Sequence, residues 1–224
     1  SFVAWERRTK EPMLPMHFFR SRSFTASNGA IFFTIASLFS CVYFFPQLLQ
    51  VSLGDDPLHA GLHLLPWTGM FLLVAPAAGN VADRIGERPL LITGLLLQAL
   101  GAGWLALIAD PGLSYSAMIT PLVVSGIGVS LAIPAAQNAV FGSLPPDQMG
   151  KASGANSMLR ELGGVFGIAV VVAVFAGAGS YASPSAFTDG FGPAIGLSAG
   201  LALAGVLVAL TMPSRVRILV AAVS

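Results

Sequence analysis

Six long runs of the chain contain only apolar, small and uncharged polar residues, and short charged stretches separate them. Each run is long enough for the roughly 20 residues that an α-helix needs to cross a hydrocarbon core of about 30 Å. The pattern predicts a bundle of six transmembrane helices at 25–217, with approximate bounds of 25–50, 58–82, 89–109, 115–141, 152–178 and 191–212. We expect 1–24 to be a cytoplasmic or interfacial linker that follows an earlier helix, and 218–224 to be a short apolar tail.

Charge alternates in sign from loop to loop. The eleven basic residues lie before the first run and after the second, fourth and sixth, at Arg7, Arg8, Lys10, Arg20, Arg22, Arg84, Arg88, Lys151, Arg160, Arg215 and Arg217. The charged residues of the other three loops are all acidic, and they are Asp55, Asp56, Asp110 and Asp189. By the positive-inside rule, we expect both ends of this segment to be cytoplasmic, in a multi-pass protein of the plasma membrane.

Composition narrows the function. At 55% hydrophobic and 9% charged residues, the chain has too little polar surface to cover a soluble globule of 224 residues. A net charge of +1 argues against a nucleic-acid partner. No cluster of histidines and thiols suggests a metal, and no cofactor is expected. The three histidines, His17, His59 and His63, lie at or near membrane surfaces without a convincing serine partner, so we predict no enzyme activity.

The second run ends in GNVADRIGERP, which has the spacing G-x-x-x-D-R-x-G-x-R at Gly79, Asp83, Arg84, Gly86 and Arg88. Gly86 can adopt the positive φ of a tight turn, and the two arginines can contact anionic headgroups. This loop resembles the signature between the second and third helices of each half of major facilitator superfamily transporters. Together with AGLHLLPW, GIGVSLAIPAAQNAVF and GKASGANSMLRELGGVFGIAV, it resembles the C-terminal half of the fourteen-helix drug:proton antiporter-2 family. The departures are Glu87, where that loop usually carries a basic residue, and the absent N-terminal half.

The resemblance implies an all-α integral membrane fold, in which six helices form a 3+3 inverted repeat that is half of a major facilitator fold. It also implies a proton-coupled exporter of small amphipathic compounds that works by alternating access. Its partners would be the lipid bilayer, the missing N-terminal half of the same polypeptide, a small-molecule substrate and protons. The alternatives are a proton-independent facilitator of the same fold and a structural membrane subunit that transports nothing.

Polar residues recur on the first and fourth runs, where a polar stripe in lipid is costly unless it faces protein or water. We predict that these residues line a substrate cavity, and they are Ser40, Tyr43, Gln47, Ser130, Gln137 and Asn138. Hydrogen bonds between helices are the alternative for any one of them. The third and sixth runs offer little beyond Gln98 and Ser198, so we expect these two helices to face lipid.

Arg160 and Glu161 bring charge to the edge of the fifth run. They are candidate gating charges, and the alternative is an arginine that snorkels and has a structural partner. No acidic residue falls at mid-depth in a run, so a proton-binding carboxylate would belong to the missing half, with Glu161 and His63 as weaker candidates. The G-x-x-x-G spacing of Gly163 with Gly167, and of Gly192, Gly196 and Gly200, predicts close contacts between helices.

Overall fold

The structure is a computed structural model that describes residues 21–142 and 149–213, except for the side chain of Asp83. The described regular elements are all α-helices, namely α1 (Arg22–Ser52), α2 (Pro57–His63), α3 (Leu65–Ile85), α4 (Glu87–Ile108), α5 (Tyr115–Phe141), α6 (Met149–Ala178) and α7 (Pro184–Leu210). All but the short α2 are long and apolar enough to cross a membrane, which confirms the six predicted spans. The predicted tail at 218–224, and the predicted linker as far as residue 20, lie outside the described residues.

The second span is not one continuous helix as predicted. The Asp56 carboxylate caps α2 by accepting hydrogen bonds from the amides of Leu58 and His59, both at 2.9 Å. The chain turns at Leu64, and Pro66, which has no N–H to donate, stands in the first turn of α3. The candidate membrane span within α3 is the 18 residues from Leu65 to Ala82, about 27 Å at 1.5 Å per residue.

The sixth span also begins earlier than predicted, at Pro184 instead of at 191. The Ser183 hydroxyl accepts a hydrogen bond from the Ala186 amide at 3.1 Å and so caps the first turn. Proline next to a serine cap is a strong helix start because its missing N–H would have no partner there in any case. Asp189 therefore lies within the helix and not in the loop before it.

The two sets of three spans interlace. α1 packs against α6 and α7 from the second set, and α5 packs against α3 and α4 from the first. The first set is α1, α3 and α4, and the second set is α5, α6 and α7. When the two sets are matched in order, the α1–α6 contact corresponds to the α5–α3 contact, and the α1–α7 contact corresponds to the α5–α4 contact. Two related repeats are expected to show this correspondence. Because each set contains an odd number of crossings, the second set runs in the opposite direction to the first, which agrees with the inverted repeat that the family resemblance implied.

Glycines set the closest approach between α1 and α6. A Cβ placed on Gly163 would lie 2.6 Å from the carbonyl oxygen of Phe32, and one placed on Gly167 would overlap the backbone of Ala36. The predicted close contact is therefore confirmed for this pair. It is wrong for Gly196 and Gly200, since no described atom lies within 4 Å of a Cβ at either position. Gly196 instead contributes to an apolar groove of about 780 Å³ between α4 and α7.

Burial differs from the expected division between the spans. The third and sixth spans, α4 and α7, are 44% and 50% buried inside the bundle over their most apolar windows. The second and fifth, α3 and α6, are only 17% and 28% buried. The helices with the largest free faces are therefore α3 and α6, because α4 and α7 pack against each other and against α5 and α1.

Candidate functional site

The predicted polar face of α1 is divided between the interior and the open surface. Ser40 is fully buried, and its hydroxyl donates to the Ala36 carbonyl of its own helix at 2.7 Å. Tyr43 is 38% exposed. The Gln47 amide donates to the Tyr43 carbonyl at 2.7 Å and accepts from the Tyr181 hydroxyl at 2.6 Å. Tyr43 and Gln47 therefore offer polar atoms at the open surface, whereas Ser40 does not.

The polar residues of α5 are divided in a similar way. Ser130 is fully buried, and its hydroxyl donates to the Gly126 carbonyl at 2.6 Å. Gln137 is half-buried and Asn138 is exposed, both in the last turns before α5 ends at Phe141. Of the predicted residues of α5, only Gln137 and Asn138, in its last turns, therefore have side chains that are open to the surface.

A pocket that the polar pattern did not indicate lies between α1, α3 and α5. Its volume is about 370 Å³, within the range of roughly 300–1,000 Å³ typical of small-molecule sites. It is lined mainly by apolar and aromatic side chains, with two hydroxyls, from Leu38, Val42, Trp67, Thr68, Phe71, Val129, Ser130 and Ile133. The Trp67 indole is held in place because its Nε1–H donates to the Ser125 hydroxyl at 3.2 Å. The sequence signal was the aromatic pair Trp67 and Phe71, one helical turn apart.

A second feature missed from sequence is a buried polar junction of α1, α4 and α7. The Gln98 amide donates to the Ser37 hydroxyl at 2.9 Å. The Ser198 hydroxyl donates to the Ser37 carbonyl at 3.0 Å and lies 3.1 Å from the Ser37 hydroxyl and 3.4 Å from the Cys41 sulfur. All four residues are fully buried. Gln98 and Ser198, expected on lipid-facing helices, are therefore contacts inside the bundle.

The motif loop between α3 and α4 contains the predicted turn. Gly86 has a φ of 90° and a ψ of 161°, which only glycine adopts without strain. Arg88 joins two parts of the chain that are distant in sequence, because its guanidinium donates to the Leu210 carbonyl at the end of α7 at 2.7 Å. Arg84 is exposed, and a Cβ on Gly79 would meet no described atom within 4 Å. The side chain of Asp83 lies outside the described part of the structure.

The candidate gating charges do not pair with each other. Arg160 is half-buried and Glu161 is exposed, and neither forms an ion pair with a residue in the described ranges. Asn156, one turn before Arg160, is 3% exposed, and its side-chain oxygen has no described partner. Arg160 and Glu161 are therefore open to contacts beyond the six spans, whereas the Asn156 oxygen is a buried polar atom inside the bundle.

Two carboxylate–imidazole pairs lie at the α2 end of the bundle. Asp56 is 2.9 Å from the His59 ring, and Asp55 is 2.6 Å from the His63 ring. The pKa of Asp56 is lowered, chiefly because its carboxylate accepts hydrogen bonds from the backbone and side chain of His59. The pKa of His59 is raised by the same side-chain hydrogen bond and by the charge of Asp56. Within the described ranges, no three histidine, cysteine or acidic side chains are grouped as a metal site would require.

The fold defines a class, that of polytopic α-helical membrane proteins. Residues 4–168 match the Major Facilitator Superfamily, and the chain belongs to this superfamily. It is 29% identical over 176 residues to the multidrug transporter protein MdtP of Bacillus subtilis, with 78% of this chain and 32% of MdtP covered.

Two other relatives match in the same way. The multidrug efflux pump LfrA of Mycolicibacterium smegmatis is 32% identical over 174 residues, which cover 78% of this chain and 34% of LfrA. The tetracenomycin C resistance and export protein of Streptomyces glaucescens is 30% identical over 171 residues, which cover 76% of this chain and 31% of that protein. The chain spans about a third of the length of the curated relatives that it matches. These likenesses support the drug:proton antiporter branch that the motif loop suggested.

Proposed function

We propose that this chain is the C-terminal half of a fourteen-helix, proton-coupled exporter that moves small amphipathic compounds across the plasma membrane by alternating access. The observation that carries the proposal is the pocket between α1, α3 and α5, next to the free face of α3. A pocket lined by Trp67, Phe71 and Val42, with the Thr68 side chain at its wall, suits a ligand that is mostly apolar with a few polar groups.

The free faces of α3 and α6 support the idea that a second half covers this one. Leu72, Leu73 and Val165 are 78%, 71% and 68% exposed on these two helices. This chain covers only about a third of these relatives, which leaves room for additional helices in a full-length protein. In this arrangement both ends of the present segment are cytoplasmic, and the pocket faces the other half.

The predicted polar residues complete the cavity in this proposal. Tyr43 and Gln47 supply polar contacts toward one end of the cavity, and Gln137 and Asn138 supply them toward the other. The buried hydroxyls of Ser40 and Ser130 would reach a substrate only if α1 or α5 bends. The loop motif, with Asp83 and Arg84, would form contacts with the other half in one conformation only, and such a difference is what biases inward and outward populations. Arg160 and Glu161 would act as gating charges through partners in that half.

Drug export by the full-length protein tests this proposal. The measurement is the resistance that it confers on a pump-deficient host against a panel of amphipathic compounds. We expect Phe71→Ala to weaken export of the larger apolar compounds about 3- to 10-fold, because part of a Phe burial worth roughly 1.5–3 kcal/mol is lost. Leu72→Ala is the matched control, since Leu72 lies on the same helix and outside the pocket.

Two outcomes would count against the proposal. If the full-length protein confers no resistance and moves no compound, the transport function is wrong. If Phe71→Ala and Leu72→Ala have the same effect, the pocket is packing and not a substrate site. A protonophore separates the proton-coupled exporter from the facilitator, since only the exporter stops concentrating its substrate on one side when the proton gradient is removed.

A further inference from the structure

Three side chains from different parts of the chain meet at the α2 end of the bundle. His63, the last residue of α2, places its Nδ1 at 2.6 Å from the Asp55 carboxylate in the loop after α1. The His63 ring also stacks on the Tyr115 ring at the start of α5, with centroids 4.0 Å apart and an interplanar angle of 28°. The Tyr115 hydroxyl donates to the His63 carbonyl at 3.2 Å. We call Asp55, His63 and Tyr115 the clamp.

The clamp joins the ends of the same helices that line the pocket. Asp55 follows α1, Tyr115 begins α5, and His63 is one turn before Trp67 of α3. The Trp67 amide donates to the Leu64 carbonyl at 3.0 Å, so the turn that carries His63 continues directly into the pocket wall. A change in the strength of the clamp will therefore alter how easily these three helix ends separate.

The clamp has a titratable centre that is partly open to solvent. The side chains of His63 and Asp55 are 32% and 13% exposed. A carboxylate only accepts hydrogen bonds, so Nδ1 of His63 carries the proton and Nε2 is left to bind another. Imidazole changes charge between about pH 5 and 8, and a charge-assisted hydrogen bond is roughly twice as strong as a neutral one. Protonation of His63 therefore tightens the contact with Asp55.

His63 is the histidine in direct contact with Asp55, although the charge of Asp55 also helps to raise the pKa of His59. Asp55 and Tyr115 are the titratable groups that the structure places against His63. Asp56 and His59, earlier in α2, pair with each other at 2.9 Å. Asp110, in the loop that leads to α5, accepts a hydrogen bond from the Gly112 amide at 2.8 Å.

We propose that Asp55, His63 and Tyr115 form a proton-responsive clamp that closes the α2 end of the pocket when His63 is protonated. The clamp rests on the proposed function for its role in transport, where this end of the bundle faces the outside. Acid outside the cell would then hold the ends of α1, α3 and α5 together, and a neutral exterior would release them. The clamp therefore makes access to the pocket depend on the pH outside the cell, which is the side on which substrate is released.

The test uses the full-length transporter in lipid nanodiscs, which have no gradient across them. Val42→Cys serves as a reporter because Val42 lines the pocket and is 45% exposed, whereas the native Cys41 is fully buried. The labelling rate with a water-soluble maleimide is measured from about pH 5.5 to 8, with and without His63→Gln. Because both proteins carry the same reporter thiol, the ratio of their rates removes the titration of the thiol itself.

We expect the rate with His63 present, divided by the rate with His63→Gln, to fall about three- to tenfold between pH 8 and pH 5.5, since acid closes only the intact clamp. Asp55→Asn keeps the shape of its side chain but lacks the charge, so it should match His63→Gln, and it replaces that variant if His63→Gln is not monodisperse. His59→Gln is the matched control on the same helix, and its ratio should not change with pH.

A ratio that stays constant for both His63→Gln and Asp55→Asn would overturn the clamp. The same would follow if His59→Gln produced an equal fall. The result is independent of drug export: a protein that exports drugs but shows a constant ratio keeps its proposed function and loses the clamp. A protein that exports nothing but shows the expected fall keeps the clamp and loses the proposed function.

Discussion

Adding one methyl group at Gly167 should force α1 and α6 apart. A Cβ at this position would lie 2.7 Å from both the carbonyl carbon and the Cα of Ala36, and it would overlap the Ala36 oxygen. These are backbone atoms of a long helix and cannot rotate aside as a side chain can. Gly167→Ala can therefore be accommodated only if the two helices separate.

The magnitude follows from two opposing effects. Overpacking a tight contact typically costs about 1–3 kcal/mol. Alanine is favoured over glycine within a helix by roughly 0.5–1 kcal/mol, which offsets part of this cost. The net loss is then about 0–2.5 kcal/mol, which for a domain of this size lowers Tm by up to roughly 10 °C.

Gly177→Ala is the matched control on the same helix. No described atom lies within 4 Å of a Cβ at Gly177, so only the gain in helix preference applies, and Tm should stay constant or rise. The assay is the fraction of detergent-purified full-length protein that remains monodisperse after heating, followed by gel filtration. If Gly167→Ala melts together with the parent protein and with Gly177→Ala, the close approach of α1 and α6 is not as described.

Three further predictions concern polar contacts. Arg88→Gln should loosen the end of α7 and cost about 0.3–1 kcal/mol, because it removes a cation from a helix C-terminus, and faster hydrogen exchange there would report it. Ser37→Ala should destabilise by about 1–3 kcal/mol because it leaves Gln98 unpaired, whereas Gln98→Leu should be neutral or stabilising in thermal melts. The Asp56–His59 pair should protect α2 from hydrogen exchange, and this protection should be complete at pH values between 3.8 and 6.5. It should be lost as pH rises through the raised pKa of His59, and also as pH falls below 3.8 through the lowered pKa of Asp56.

Each of these predictions has a control or an outcome that contradicts it. Arg84→Gln removes an exposed charge from the same loop and should leave α7 unchanged. If Gln98→Leu destabilises the protein more than Ser37→Ala does, the hydrogen bonds of the Gln98 side-chain amide are fully satisfied in the native fold, and the prediction is wrong. His59→Gln should weaken the loss of protection at rising pH in the first turn of α2, where the Asp56 cap lies, and an unchanged loss there would assign it to another group.

Six membrane spans could be predicted from the sequence because the length of an apolar run is a local property. The break at Leu64 was missed for the same reason, since the apolar run continues through it. The Asp56 cap and Pro66 mark the starts of α2 and α3, but they can be recognised as such only once the turn between the two helices is known. The start of the sixth span was set by Ser183 and Pro184, a capping signal that lies outside the uncharged run.

The candidate site was harder to predict because its contacts join distant segments. A serine on a helix can bond to its own backbone, as Ser40 and Ser130 do, or to another helix, as Ser198 does, and the residue type does not distinguish these outcomes. The pocket depends on three helices meeting around Trp67. The turn at Gly86 was predictable because a positive φ within a short loop is a requirement of the local chain, whereas the contact of Arg88 with Leu210 spans 122 residues.

The interlaced packing of the two sets of helices has a consequence for biogenesis. Ser37 and its partner Ser198 are 161 residues apart, so at 5–20 residues per second the ribosome adds the second roughly 8–32 s after the first. During that interval α1 and α4 are made, but α7, which completes their polar junction, is not. The first three spans therefore exist for that interval with Ser37 lacking its Ser198 partner, and a nascent chain stalled before α7 would expose this incomplete junction to membrane quality control.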